Sequence, residues 1–190
     1  MSQPVAQTFL SVRQFTLIAT FLPFCWLAMQ SVHESGHTLA AWATGGEVTR
    51  VELHPLAISR TDVMPNPRPL IVCWAGPLAG AVLPVIAYLI ARLARCPGQF
   101  LFRFFAGFCL IANGVYIGVG AFDGIGDAGD LLRLETPIWM LIGFGLITAP
   151  AGLWMWHGLE KSFASADWRT AWISAALLAG IVIINCAITR

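Results

Sequence analysis

Apolar residues run almost unbroken through five stretches of the chain, at about 15–44, 70–94, 100–122, 137–159 and 168–188. As a helix, each is long enough to cross the roughly 30 Å hydrocarbon core of a bilayer, which takes about 20 residues. Pro23 either kinks the first stretch or marks its start, and Gly45-Gly46 is a helix stop at its end. Pro77 and Pro84 lie inside the second stretch. Between the first two stretches, "EVTRVELHPLAISRTDVMPNPRP" breaks the pattern. Its "VTRVEL" is β-branched like a strand, and Pro65, Pro67 and Pro69 exclude a helix. A polar turn, "DGIGDAGDLLRLET", follows the third stretch. The pattern predicts an all-α membrane protein with about five transmembrane helices and a short β-hairpin or extended loop between helices 1 and 2. Trp139, Trp156, Trp168 and Trp172 fall near the ends of the last two stretches, where indoles favour the bilayer interface.

Composition agrees. Hydrophobic residues make up 57% of the 190 and charged residues 11%, against about 25% charged in soluble domains. Mean hydropathy is +0.73. A net charge of +1 gives no sign of a nucleic-acid partner. The length suits a single domain, 1–190, with its motifs in a core at about 15–133 and additional helices at about 137–188. The first stretch runs on into a polar motif without a clear cleavage site, so it is expected to be a retained span rather than a signal peptide. Cys25, Cys73, Cys96, Cys109 and Cys186 show no CxxC spacing and read as small apolar core residues. If loop 45–69 is cytoplasmic, Arg50, Arg60, Arg68, Arg133 and Arg190 share its side. Arg13, Arg92, Arg95, Arg103, Lys161 and Arg169 then lie opposite, so the charge bias sets no orientation.

One part of the first stretch does not belong in an inert span. "HESGH" places His33, Glu34 and His37 toward its far end. Ionisable groups within a membrane helix cost about 2.5 to 3.5 kcal/mol each on insertion scales, which makes functional use the default reading. Positions i and i+4 share one helix face, so both imidazoles can address one ion, with the carboxylate between them as a general base. That is the zinc metalloprotease arrangement. Such a site needs a third protein ligand and a position left for water.

The third ligand must lie at the depth of His33. Helices 1 and 3 run parallel, because one antiparallel span separates them. The far end of helix 3 therefore returns to the same side, carrying Asp123, Asp127 and Asp130. Glu47 and Glu52 are near in sequence but lie in the loop. The competing reading is a solvated acidic turn capping a helix at Leu131. His54 reads as a loop residue and His157 as an interfacial one.

The chain resembles the site-2 protease family of intramembrane zinc metalloproteases, in three segments and in the family's order. "HESGH" looks like its zinc-binding helix, "AGPLAG" at 75–80 like its AGP-type segment, and "FDGIGDAGD" like its third-ligand region. The resemblance implies zinc (Zn2+) held by His33, His37 and an aspartate, with Glu34 as catalytic base. Asp123 resembles the family's LDG signature, but the usual preceding proline is absent. Asp127, a Gly-Asp pair ahead of "LLRL", fits an alternative branch and is favoured, and Asp130 stays a third candidate. Asn113 is expected to bind substrate, or else to make an interhelical hydrogen bond. The implied function is hydrolysis of transmembrane or membrane-proximal segments of a membrane protein or peptide, by a multi-pass protein of a bacterial cell membrane. The strand-like 47–55 segment would offer an edge for a substrate to join. Gly76/Gly80 and Gly114/Gly118 are spaced to let helices approach closely. Two other classes compete: a non-proteolytic membrane protein with a structural or transport metal, and a metal-free scaffold. Oligomeric state is left open.

Overall fold

The computed structural model describes residues 10–189. Arg190, counted above among the cations, lies outside the described residues. Among these described residues, seven helices and two strands follow in the order α1 Val12–Ala43, β1 Val48–Glu52, β2 Arg60–Val63, α2 Pro69–Leu93, α3 Gln99–Asp123, α4 Gly126–Arg133, α5 Ile138–Trp156, α6 Glu160–Ser165 and α7 Trp168–Ile188. Helices α1, α2, α3, α5 and α7 are long and apolar enough to cross a membrane. They correspond to the five stretches expected from the sequence.

Helix α1 begins three residues earlier than the hydrophobic pattern indicates, because Ser11 and Gln14 form a reciprocal capping box. It runs through Pro23 without stopping. Proline is tolerated in spans because neighbouring groups re-satisfy the freed backbone. It ends where Gly45 takes a left-handed conformation (φ 78°) and Gly46 N–H donates to the Ala41 carbonyl at 2.7 Å. The 47–69 break is a true hairpin: β1 and β2 pair antiparallel, with Val51 opposite Thr61 and Glu52 opposite Arg60. The Glu52 carboxylate accepts from the His54 N–H and the Arg50 guanidinium, which hold it below the usual carboxylate range.

The short helices α4 and α6 were not visible in the pattern. Helix α4 has only 8 residues, too few to show periodicity, and two of them are glycine. It places Asp127 and Asp130 within its turns, not in a cap ahead of Leu131. Of the tryptophans, Trp156 turns inward: its indole donates to the Phe104 carbonyl and stacks on that ring.

Helix α2 packs on both α1 and α3, α5 packs on α3, and α7 packs on α1. Near the starts of α1 and α3, Phe21, Phe24, Phe104 and Phe105 interlock, with ring centroids 5.7 Å apart for Phe21 and Phe104. Helix α7 is fastened to α1 by two polar pairs, Thr20 with Ser174 at 2.8 Å and Ser31 with Asn185 at 2.9 Å. Asn185 and Ser174 are fully buried. Cys25, Cys73 and Cys109 are buried and free, whereas Cys96 is half-buried and Cys186 exposed, so the reading as core residues holds for three of the five.

Helices α1 and α2 approach closely at Gly36, inside the polar motif. A Cβ there would lie 2.4 Å from the Ala75 carbonyl oxygen and 2.7 Å from the Ala79 Cβ. Gly36→Ala is expected to cost about 1–3 kcal/mol through overpacking, seen as a lower thermal midpoint in detergent. Gly143→Ala, where no atom lies within 4 Å of the added methyl, should leave the midpoint unchanged or raise it slightly.

Candidate metal centre

The site is built on one face of α1, where His33 and His37 stand one turn apart and both are buried. Each imidazole is oriented through its Nδ1. The His37 Nδ1 lies 2.8 Å from the Val72 carbonyl oxygen, so it must donate. The His33 Nδ1 lies 2.7 Å from Asn113 Oδ1. The Asn113 amide is oriented in turn, because its Nδ2 donates to the Cys109 carbonyl at 2.8 Å. With both Nδ1 atoms donating, each neutral ring carries its lone pair on Nε2.

Helix α2 makes room for these groups. A Cβ on Gly76 would meet the His37 ring at 2.2 Å, and one on Gly80 would meet Asn113 Oδ1 at 2.5 Å. The "AGPLAG" glycines are thus sockets for a site imidazole and its supporting amide. Gly114 and Gly118 instead face α5, at Thr148 and Gly145.

Asp127 arrives from α4. Helix α3 stops at Gly124 (φ 64°), and Gly126 (φ 57°) reverses the chain in a conformation costly to other residues. The Asp127 N–H donates to the Tyr116 hydroxyl at 3.0 Å, and the Tyr116 ring lies edge-on to His33. Asp127 Oδ2 then lies 2.7 Å from His33 Nε2 and 3.2 Å from His37 Nε2, and the two Nε2 atoms are 3.1 Å apart. Asp130 pairs with Arg133 and groups with Cys73 and Asp127. Asp123 is exposed at the end of α3 and enters neither cluster of potential ligands among the described residues.

Two lone pairs and a carboxylate oxygen therefore converge with no proton left to put between them. Three acceptors at this spacing repel one another unless a cation, or a proton added to an imidazole, sits among them. Two imidazole nitrogens and one carboxylate oxygen form a donor set that suits zinc and leaves a coordination position open. The residues present fit that ion.

Glu34 is buried, and its Oε2 accepts from the Thr61 hydroxyl of β2 at 2.8 Å. It lines a cavity of about 1440 Å³ together with His33, His37 and Asp127. Trp26 and Met29 of α1 and Ile111 and Val115 of α3 form an apolar wall, with the polar Gln30 beside them, and residues 57–64 form a roof. The strand bordering the cavity is chiefly β2, whereas the sequence had singled out 47–55. Asn113, the expected substrate-binding residue, has its amide engaged within the protein at both ends. His54 is a loop residue whose Nδ1 accepts from the Leu56 N–H. Thr61, Tyr116 and the Val72 carbonyl were missed by sequence reasoning. No local signal marks a backbone carbonyl or a hydroxyl brought in by a hairpin, though Tyr116 lies one turn from Asn113.

The chain belongs to the Peptidase M50B-like family, whose model matches residues 5–117. By class it is a membrane-embedded peptidase. The match covers His33, Glu34, His37 and Asn113 and ends before Asp127. No curated protein and no solved structure matches the chain.

The three aspartates separate experimentally. After incubation with zinc and desalting, the native chain is expected to retain about one ion per molecule and Asp127→Asn to lose it, measured by inductively coupled plasma mass spectrometry. Asp123→Asn and Asp130→Asn should keep it. Asn113→Leu should retain binding but weaken zinc affinity by about 10–100-fold, the usual effect of removing a group that orients a ligand.

Proposed function

We propose that this protein is a zinc endopeptidase that hydrolyses peptide bonds in transmembrane or membrane-proximal segments of other membrane proteins. The observation that carries the reading is the convergence of His33 Nε2, His37 Nε2 and Asp127 Oδ2 within 3.2 Å beside a buried Glu34. His33, His37 and Asp127 would hold the ion. Zinc bound there would supply Lewis-acid chemistry and make water reactive at neutral pH.

The chain's own residues do the rest. Glu34 Oε2 is engaged by Thr61, which leaves Oε1 to take a proton from water as oxygen attacks the carbonyl carbon. The same carboxyl then gives that proton to the departing amide nitrogen as the C–N bond breaks. Asn113 and Val72 keep both imidazoles in the tautomer that offers Nε2. Substrate lies along the apolar wall between α1 and α3. Its peptide groups are internally paired while helical, so the cut segment must unwind, and unpaired groups are costly in lipid. The edge of β2 above the cavity can receive the opened segment by strand addition.

The test uses purified protein in detergent and a single-span peptide with a fluorophore and quencher flanking the span. Glu34→Gln is expected to lower kcat by about 10²–10⁴-fold with zinc content unchanged. Cleavage by Glu34→Gln at the native rate would remove Glu34 from the mechanism. A native, zinc-loaded chain that cuts no such peptide would favour a non-proteolytic role.

A further inference from the structure

We infer that Thr61 is a positioning residue for Glu34, and that α7 is the strut that keeps the hairpin in place to do it. This rests on the reading of Glu34 as the base.

Glutamate has three rotatable side-chain bonds, and a base must be held close to its productive position to act in a short-lived geometry. Nothing on α1 itself holds Glu34. The one side chain among the described residues that hydrogen-bonds its carboxylate is Thr61, at 2.8 Å, and the same hydroxyl approaches the Glu34 backbone oxygen at 3.4 Å. A bond from a neutral hydroxyl to a carboxylate is charge-assisted and stronger than a neutral pair.

Thr61 is itself placed by the rest of the fold. It pairs with Val51 of β1. Just past the end of β1, the Leu53 N–H donates to the Thr189 hydroxyl at 3.0 Å. Thr189 donates to the Asn185 carbonyl at 3.0 Å, and Ser31 donates to Asn185 Oδ1 at 2.9 Å. Ser31 lies on α1, three residues before Glu34. The contacts therefore close a ring: α1 to α7, α7 to β1, β1 to β2, and β2 back to α1 at the base. Helix α7 lies outside the segment the family model matches. Asn185 is wholly buried on a span, a costly place for an amide unless it has a structural or functional use.

Kinetics with the same fluorophore–quencher peptide separate positioning from folding. Thr61→Val is expected to lower kcat about tenfold, with KM within about twofold, as loss of a charge-assisted bond implies. Zinc content and thermal midpoint should match the native chain. Thr61→Ser, which restores the hydroxyl, should return kcat to within about twofold of native. Thr189→Val should lower kcat about threefold in the same way, because it loosens the strut and leaves the bond to Glu34 in place. In a Glu34→Gln background, Thr61→Val should have no further effect, because Thr61 acts through that carboxylate. An unchanged kcat in Thr61→Val, equal losses in the Ser and Val variants, or a fall in zinc or midpoint that tracks kcat would overturn the role of Thr61. An unchanged Thr189→Val would overturn the role of α7. A Glu34→Gln variant that cuts at the native rate overturns the reading of the base instead, and is told apart by that variant alone.

Discussion

Two imidazole nitrogens and a carboxylate oxygen meet inside this protein with their lone pairs turned toward one another, and the rest of the structure keeps them there. The constraint comes from the opposite side of each ring. The Val72 carbonyl and the Asn113 amide each claim an Nδ1 proton. That leaves both Nε2 atoms as acceptors facing Asp127. Such a centre is unfavourable without a cation, so the support has to be strong enough to hold it in advance. Gly76 and Gly80 give the ring and the amide their space, and Gly36 lets α2 come close enough to deliver the Val72 carbonyl.

The same economy shapes the polypeptide beyond the motifs. Inside a bilayer there is little apolar driving force between helices, so close packing and interhelical hydrogen bonds carry association. Small residues bring α1 against α2 and α3 against α5, whereas α7 is held by Thr20–Ser174 and Ser31–Asn185. Asp127 depends on a different device. Two left-handed glycines reverse the chain after α3, and the Tyr116 hydroxyl takes the Asp127 N–H. The ligand set thus draws on α1 and α4, the supports on α2 and α3, and the base on α1 and the hairpin.

Much of this was legible in the sequence, for definite reasons. The five spans follow from run length, because lipid permits few polar interruptions. His33, Glu34 and His37 follow from their spacing on one helix face. The choice among Asp123, Asp127 and Asp130 did not follow from spacing, since all three occupy one polar turn and only the fold of α4 separates them. Its eight residues carry too short a pattern to predict. Thr61 was hidden for a related reason: its hydroxyl reaches Glu34 only after the hairpin closes, and nothing in "RTDV" announces that. Asn113 was expected to bind substrate or else to make an interhelical hydrogen bond, and its contact with His33 is of the second kind. Its engagement with His33 depends on which helix face meets α1, which one sequence does not specify.

X-ray absorption at the zinc edge of the purified, zinc-loaded protein bears most directly on the centre. A site made by His33, His37 and Asp127 predicts a first shell of nitrogen and oxygen only, at about 2.0–2.2 Å, with the outer-shell scattering of two imidazoles. A sulfur shell at about 2.3 Å would place Cys73 among the ligands and point to a closed site. That result, or a spectrum without imidazole scattering, would contradict the account.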